Sequence, residues 1–216
     1  MKKFLKMTLI GGLIIALVGC TVTALKTYEE PDYQVLKGTE ASLDIEQRRY
    51  VEALIAEVEV TGTRDESVSK GFRLLADFIF GNNTANGAIE MTAPVTQQAT
   101  KPSAEKIEMT TPVAQQASGD NTWHVRFYMP KQYHEDNLPK PNNDQVTIRK
   151  LPGYDAVAIR FSGRNIEANL EEHRQKLDAY IAKNSLEIDG GPTYAFFDPP
   201  WTPWFLKRNE IIYRLK

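Results

Sequence analysis

Between Ala53 and Phe80 the apolar positions change period, and the change marks a strand followed by a helix. Ala56, Val58 and Val60 alternate with Glu57, Glu59 and Thr61 up to Gly62, the two-residue period of a half-buried strand. Val68, Phe72, Leu75 and Ile79 then recur at helical spacing until Gly81, Asn82 and Asn83 close the run. The pattern returns 101 positions later, where Val157, Ile159, Phe161 and Gly163 stand for Ala56, Val58, Val60 and Gly62, and Arg149-Lys150 stands for Arg48-Arg49. In the second helix the offset becomes 102, so Val68, Leu75, Phe78 and Ile79 correspond to Leu170, Leu177, Tyr180 and Ile181, as one added loop residue would produce. One domain of two similar halves, about residues 32–130 and 146–216, is therefore expected.

The remaining pattern fills in around this unit. Tyr33 to Leu36 and Leu43 to Arg48 read as short strands about a turn at Gly38, with antiparallel pairing along this stretch. Two near-copies follow the first helix, Ile89-Glu90-Met91-Thr92-Ala93-Pro94-Val95 and Ile107-Glu108-Met109-Thr110-Thr111-Pro112-Val113, and they read as a hairpin with Pro94 and Pro112 at bulges or edges. Trp123, Val125, Phe127 and Met129 form the apolar side of another strand, and Lys131 to Asn143 is a polar connection. The second helix spans about Ile166 to Lys183. Thr193 to Asp198, a proline-aromatic loop and a last strand from Glu210 to Leu215 complete the chain.

Composition narrows the picture in three ways. A chain of 216 residues with 42% hydrophobic and 25% charged residues can bury a sizeable single core. With 26 basic against 28 acidic residues and a net charge of -2, no excess positive field exists to hold phosphates, and no nucleic-acid partner is expected. The single cysteine, Cys20, rules out an internal disulfide and a multi-thiolate zinc site. A monomer is expected.

At the amino terminus, Lys2, Lys3 and Lys6 precede an apolar run from Met7 to Val18, which has the length of a secretory signal and is short for a bilayer span. Leu17-Val18-Gly19-Cys20 resembles the bacterial lipoprotein box. That resemblance implies a signal peptide over residues 1–19, lipidation (diacylglycerol, palmitate) of Cys20, and a tether over residues 20–31 that anchors the domain to a membrane of the cell envelope. Because Thr21, and no Asp, follows Cys20, similarity to Gram-negative lipoproteins points to the outer membrane facing the periplasm if the source is Gram-negative.

Near the carboxyl end, Phe197-Asp198-Pro199-Pro200-Trp201-Thr202-Pro203-Trp204 followed by Lys207-Arg208-Asn209-Glu210 resembles the signature of the SOUL heme-binding family. Tyr33-Gln34-Val35-Leu36, the Ile45 to Arg48 strand, Glu90-Met91-Thr92-Ala93-Pro94-Val95 and the helix carrying His173 and Leu177 occur in that family's order, so the resemblance runs from about Tyr33 to Lys216. It implies an α+β fold, a distorted antiparallel β-barrel with two helices and an internally duplicated strand-helix-strand-strand unit. It also implies a binding protein, not an enzyme, for heme or another tetrapyrrole in an apolar groove with no obligatory axial ligand. The architecture is similar to bacterial effector-binding domains as well, which makes small-molecule capture or hydrolysis, with Glu90 or Glu108 in the cavity, the alternative.

Candidate site residues follow from helical projection. Glu66, Lys70, Arg73 and Asp77 form the polar side of the first helix, while Leu74 and Phe78 widen its apolar stripe of Val68, Phe72, Leu75 and Ile79 beyond what docking on a sheet requires. The surplus is either covered as ordinary core or forms one wall of a groove. In the second case Phe72, Leu74, Leu75 and Phe78 face the aromatic lips Trp201, Trp204 and Phe205, and Lys70, Arg73, Lys207 or Arg208 meets heme propionates. His173 lies at the margin of the second helix's apolar stripe and is either a core-edge histidine or an iron ligand. His124 and His134 read as solvated. No nucleophile elbow, phosphate-binding glycine loop or spaced metal-ligand cluster occurs.

Overall fold

The structure, a computed structural model, describes residues 28–38, 44–85, 104–119 and 121–216. The alternating runs form β1 (Tyr33–Lys37), β2 (Ile45–Tyr50), β3 (Ala53–Thr61), β5 (Val113–Gly119), β6 (Thr122–Tyr128), β8 (Thr147–Leu151), β9 (Tyr154–Phe161), β10 (Ile188–Phe196) and β11 (Asn209–Leu215), with the two-residue strands β4 (Asn83–Thr84) and β7 (Lys140–Pro141) pairing apart. The helices are α1 (Arg64–Ile79) and α2 (Glu167–Lys183). Thr63 starts α1 with a capping box: its hydroxyl accepts from the Glu66 N–H, and the Glu66 carboxylate accepts from the Thr63 N–H at 3.0 Å. Ile166 occupies the same place before α2 and supplies no side-chain cap.

Nine strands form one antiparallel sheet in the order β1-β2-β9-β11-β10-β5-β6-β3-β8. The unit of strand, helix and two strands occurs twice, as β3-α1-β5-β6 and β9-α2-β10-β11, and the two join where β10 pairs with β5. Their first strands are exchanged. β2 precedes β3 in the chain yet pairs with β9, and β8 precedes β9 yet pairs with β3. Residues 51–52 and 152–153 make the two crossings at one corner, so close together that a Cβ on Gly153 would lie 2.9 Å from the Tyr50 carbonyl oxygen; a glycine is required there.

Both helices lie on one face of the sheet. Ala56, Val58, Val60, Val125 and Phe127 meet Leu75, Phe78 and Ile79 of α1, and Val157, Ile159, Phe161 and Ile211 meet Leu170, Leu177, Tyr180 and Ile181 of α2. The other face is concave. β9 and β6 stand four strand spacings apart in the sheet, about 19 Å if it were flat, yet Tyr154 and Tyr128 share a side-chain hydrogen bond across that face. Small buried residues Ala156, Ala158, Ala195 and Ala114 leave the space for this curl. The result is an α+β half-barrel whose edge strands β1 and β8 do not pair with each other.

Two stretches differ from the sequence expectation. The second near-copy does not form a hairpin strand: residues 104–112 run extended without ladder pairing, β5 starts only at Val113, and the Ile107 N–H donates to the Ile79 carbonyl at 2.8 Å, so this segment covers the end of α1. The first near-copy, with Glu90, lies outside the described residues, as do the signal segment and Cys20. The expected tether also ends early. The Glu29 carbonyl accepts from the Thr111 N–H at 2.9 Å and the Asp32 carbonyl from the Val51 N–H at 3.1 Å, so the chain is docked before β1 begins.

Candidate functional site

The concave face carries charge where the helix face carries apolar side chains. Glu210 on β11 and Arg48 on β2 are both fully buried, with Arg48 Nη1 donating to Glu210 Oε2 at 2.6 Å. Arg208 Nη2 donates to Glu210 Oε1 at 2.9 Å, and Arg160 Nε to the same oxygen at 3.3 Å. Burial alone would raise the Glu210 pKa, but the hydrogen bonds and charges of Arg48 and Arg208 outweigh it and hold the carboxyl below its ordinary value. Tyr33, Tyr50 and Tyr154 line up beside this pair, with ring centroids 5.2 and 5.0 Å apart, and burial pushes the Tyr50 hydroxyl up from its ordinary value. Glu30, from the docked amino-terminal segment, accepts from Arg208 Nη1 at 3.0 Å on both carboxylate oxygens and caps the cluster. The interior is filled: a void of only about 10 Å³ remains beside Tyr50 and Glu210.

An open cavity of about 430 Å³ lies next to it at the corner of the two crossings, floored by Leu54, Tyr128 and Met129. Its rim is acidic, with Glu29, Asp32, Glu52, Glu135 and Asp136 against Lys131 and Lys150. Asp32 is paired with Lys131 Nζ at 2.7 Å and Glu135 with Lys150 at 3.4 Å.

The third feature is apolar surface. The connection from β10 to β11 carries Trp201, 81% exposed, and a 3-10 turn over Trp204–Leu206 whose three side chains are more than half exposed. Trp204 and Phe205 pack edge to face at 5.7 Å. The Trp204 carbonyl accepts from the Gly163 N–H at 3.0 Å, which seats the loop against the end of β9 and the start of α2. Gly163 has φ +117°, and a Cβ there would strike Asn169 Nδ2 at 2.7 Å, so the tight turn beneath the loop depends on glycine. Asn169 holds the Ser162 and Arg164 carbonyls, and His173 Nδ1 lies 2.8 Å from the Asn169 carbonyl while its ring stacks on Phe161 at 4.1 Å.

Residues 28–214 match the sequence model of the SOUL heme-binding protein family, which is nearly the whole described chain. The protein belongs to the SOUL family. Among solved structures, this SOUL-family chain is similar to the EcmrR C-terminal domain, with a TM-score of 0.57 and 11% identity over 82% of this chain and 99% of that one. It is also similar to a hydrolase from Listeria innocua, with a TM-score of 0.52 and 12% identity over 81% of this chain and 92% of that one. At such identities the likeness is one of fold. No curated protein sequence matches the chain significantly.

The SOUL-family structure does not bring the expected groove together. Leu75 and Phe78 are fully buried in the core, and Phe72 and Leu74 are part-buried against it, because Ile107, Tyr133, Leu138 and Val146 cover that flank of α1. The flank is covered, but not by the aromatic loop, which sits against β9 and α2 in the other half. Arg208 is committed to Glu210, to Glu30 and to the Phe197 ring, 3.8 Å from its guanidinium, and so is not a free rim cation. Lys70 and Arg73 are exposed on α1. Trp201, Trp204, Phe205 and Lys207 remain together, and the contacts through Gly163 and Asn169 bring His173 and the exposed Arg164 to the same side.

Glu108 is exposed and does not line the cavity. His134 is exposed as expected, whereas His124 is only half exposed and lies 3.7 Å from Glu57 and from Glu59. No cluster of three metal-ligating side chains occurs among the described residues. The buried Arg48–Glu210 pair escaped sequence reading, although the equal alternation of Glu46, Arg48 and Tyr50 with Ile45 and Gln47 was the available signal of a strand with a polar buried side.

Proposed function

We propose that this chain is a membrane-tethered binding protein for heme or a related tetrapyrrole, held on the aromatic loop of the second half, and that it is not an enzyme. Family membership supports the ligand class, and the observation that carries the location is the exposure of Trp201, Trp204 and Phe205 on one loop. Flat apolar macrocycles stack on such rings, and their carboxylates suit Lys207 and Arg164, whose side chains make no ion pair among the described residues. The residues fit stacking better than coordination, since the His173 ring is engaged face to face with Phe161 and Nδ1 is turned to its own helix. The anchor is lipidated Cys20, on the lipobox Leu17-Val18-Gly19-Cys20.

Titration with ferric heme and with metal-free protoporphyrin tests this reading. Both are expected to saturate, with affinity lowered about tenfold or more by Trp204→Ala/Phe205→Ala, the loss of roughly 1.4 kcal/mol or more of stacking, and left unchanged by His173→Ala. No saturable binding of either tetrapyrrole to folded parent protein would refute it. A turnover screen over hydrolysable metabolites is expected to stay silent; turnover abolished by Glu90→Gln or Glu108→Gln would make the chain an enzyme.

The acidic rim of the 430 Å³ cavity favours a second ligand class, an organic cation resting on Leu54 and Tyr128. Glu52→Gln/Asp136→Asn is expected to weaken binding of a lipophilic cation and leave tetrapyrrole binding untouched.

A further inference from the structure

We infer that the loop from Trp201 to Leu206 is a second membrane contact, which inserts its side chains among the lipids of the bilayer to which the chain is anchored. The inference rests on the Cys20 anchor proposed above and does not need the tetrapyrrole.

Three observations converge on a lipid surface as the occupant. The first is the character of the loop. Trp201, Trp204, Phe205 and Leu206 are 81, 55, 58 and 65% exposed, and Ile166, at the start of α2 beside Gly163, is 53% exposed. They stand on one short connection between β10 and β11, so a compact apolar patch is offered at the surface. Tryptophan with aliphatic and aromatic neighbours is the composition that settles at the headgroup boundary.

Charge is the second. Arg164 and Lys207 flank the apolar tip and can reach lipid phosphates while their stems stay with the apolar side chains. The nearby carboxylates already have partners, with the exposed Glu167 accepting from Arg64 Nε at 3.1 Å and the part-buried Asp198 from the Arg208 N–H at 2.6 Å.

The third is where the chain leaves the domain. Glu30 binds Arg208 at 3.0 Å, and Arg208 stands two residues beyond the tip of the loop at Leu206. The eight residues from Thr21 to Tyr28 reach at most about 28 Å when extended. The described chain therefore begins near the base of the aromatic loop, and a tether of that length lets one bilayer meet both an acylated Cys20 and the aromatic tip. A hydrophobic macrocycle dissolved in that bilayer encounters its aromatic partners without crossing water.

The test uses the protein produced from its full sequence, without added heme, in vesicles of phosphatidylethanolamine and phosphatidylglycerol, with and without bromine on the acyl chains. Trp201 and Trp204 are two of the three tryptophans, and Trp123 lies on the helix face of the sheet with Nε1 bonded to the Gly62 carbonyl, so it serves as an internal reference. Brominated lipid is expected to quench the larger part of the emission and to leave the residual emission of Trp201→Tyr/Trp204→Tyr unquenched. Phe205→Glu/Leu206→Glu, at exposed positions that the fold does not use, is expected to abolish the quenching while both tryptophans remain. Mass spectrometry of Cys20 separates the two readings. Acylated protein with unquenched tryptophans overturns the loop contact and keeps the anchor, whereas unacylated protein that is still quenched retires the anchor and keeps the loop. Unacylated and unquenched protein overturns both.

Discussion

The two copies of the strand-helix-strand-strand unit spend their loops differently. In the first copy residues 80–112 separate α1 from β5, and part of that stretch, with residues 129–146, is laid over the flank of α1, where Ile107, Leu138 and Val146 are buried. In the second copy α2 runs into β10 within residues 184–187, and the long connection is moved to residues 197–208 between β10 and β11, where its apolar side chains remain exposed. The helices diverge to match. Gly71 lets α1 approach so closely that a Cβ there would lie 2.6 Å from Val125, whereas the corresponding place in α2, at the 102-residue offset, is His173, whose ring fills the space to Phe161. A duplicated scaffold can thus devote one copy to core and leave the other's loop free for a ligand or a surface.

The largest expected contrast lies between the covered and the open side. Phe78→Ala removes a fully buried ring and is expected to cost about 3–5 kcal/mol, while Trp201→Ala should stay within about 0.5 kcal/mol of the parent in urea denaturation. Equal costs would mean that the loop is packed in solution. Next comes the buried ion pair between β2 and β11. Glu210→Gln leaves Arg48 buried with only Glu46 to balance it and is expected to cost roughly 3 kcal/mol at neutral pH. Because the folded Glu210 pKa lies below its unfolded value, the unfolded chain binds more protons on acidification. This stabilisation is complete above the unfolded pKa of about 4.3 and is lost as pH falls through the folded one. The parent's stability should therefore fall more steeply with acid than that of Glu210→Gln, by chemical denaturation at a series of pH values.

Smaller effects sharpen the comparison of the helices. Gly71→Ala must displace Val125 and is expected to cost about 1–3 kcal/mol despite the higher helix propensity of alanine. Thr63→Ala removes the cap of α1 for about 1 kcal/mol, and Ile166→Ser, which supplies the cap α2 lacks, should add about 0.5–1 kcal/mol, both read as shifts in thermal midpoint.

Much of this was legible in the sequence, because alternation and helical spacing report which side of an element is buried. β3, β6 and β9 and both helices stand where the period changes, and the repeat offset of Arg48-Arg49 to Arg149-Lys150 aligned β2 with β8. Which strand each of these would pair with was not legible, since alternation names a face and not a neighbour. Ile107 and Met109 alternate like strand residues, yet their stretch covers a helix, and an extended segment has the same period with or without ladder partners. Glu29 and Glu30 looked like solvated tether because a charge reveals its partner only once the fold brings Arg208 and Lys131 to it. At the candidate site, the proline-aromatic stretch placed Trp201, Trp204, Phe205 and Lys207 on one exposed connection, while the wall assigned to α1 is buried, because helical projection counts apolar area without showing what covers it.

The exchange of β2 and β8 bears on whether either copy could stand alone. Neither copy is a subdomain, for each borrows its outer strand from the other, and a lone copy with its own leading strand would find no β9 or β3 in the right place to receive it. The smallest closed assembly of such a unit is a two-fold pair of identical chains, each lending a strand to its twin. In this chain the stretch over residues 129–146 joins the two copies, so the exchange that such a pair would make between molecules is made within one.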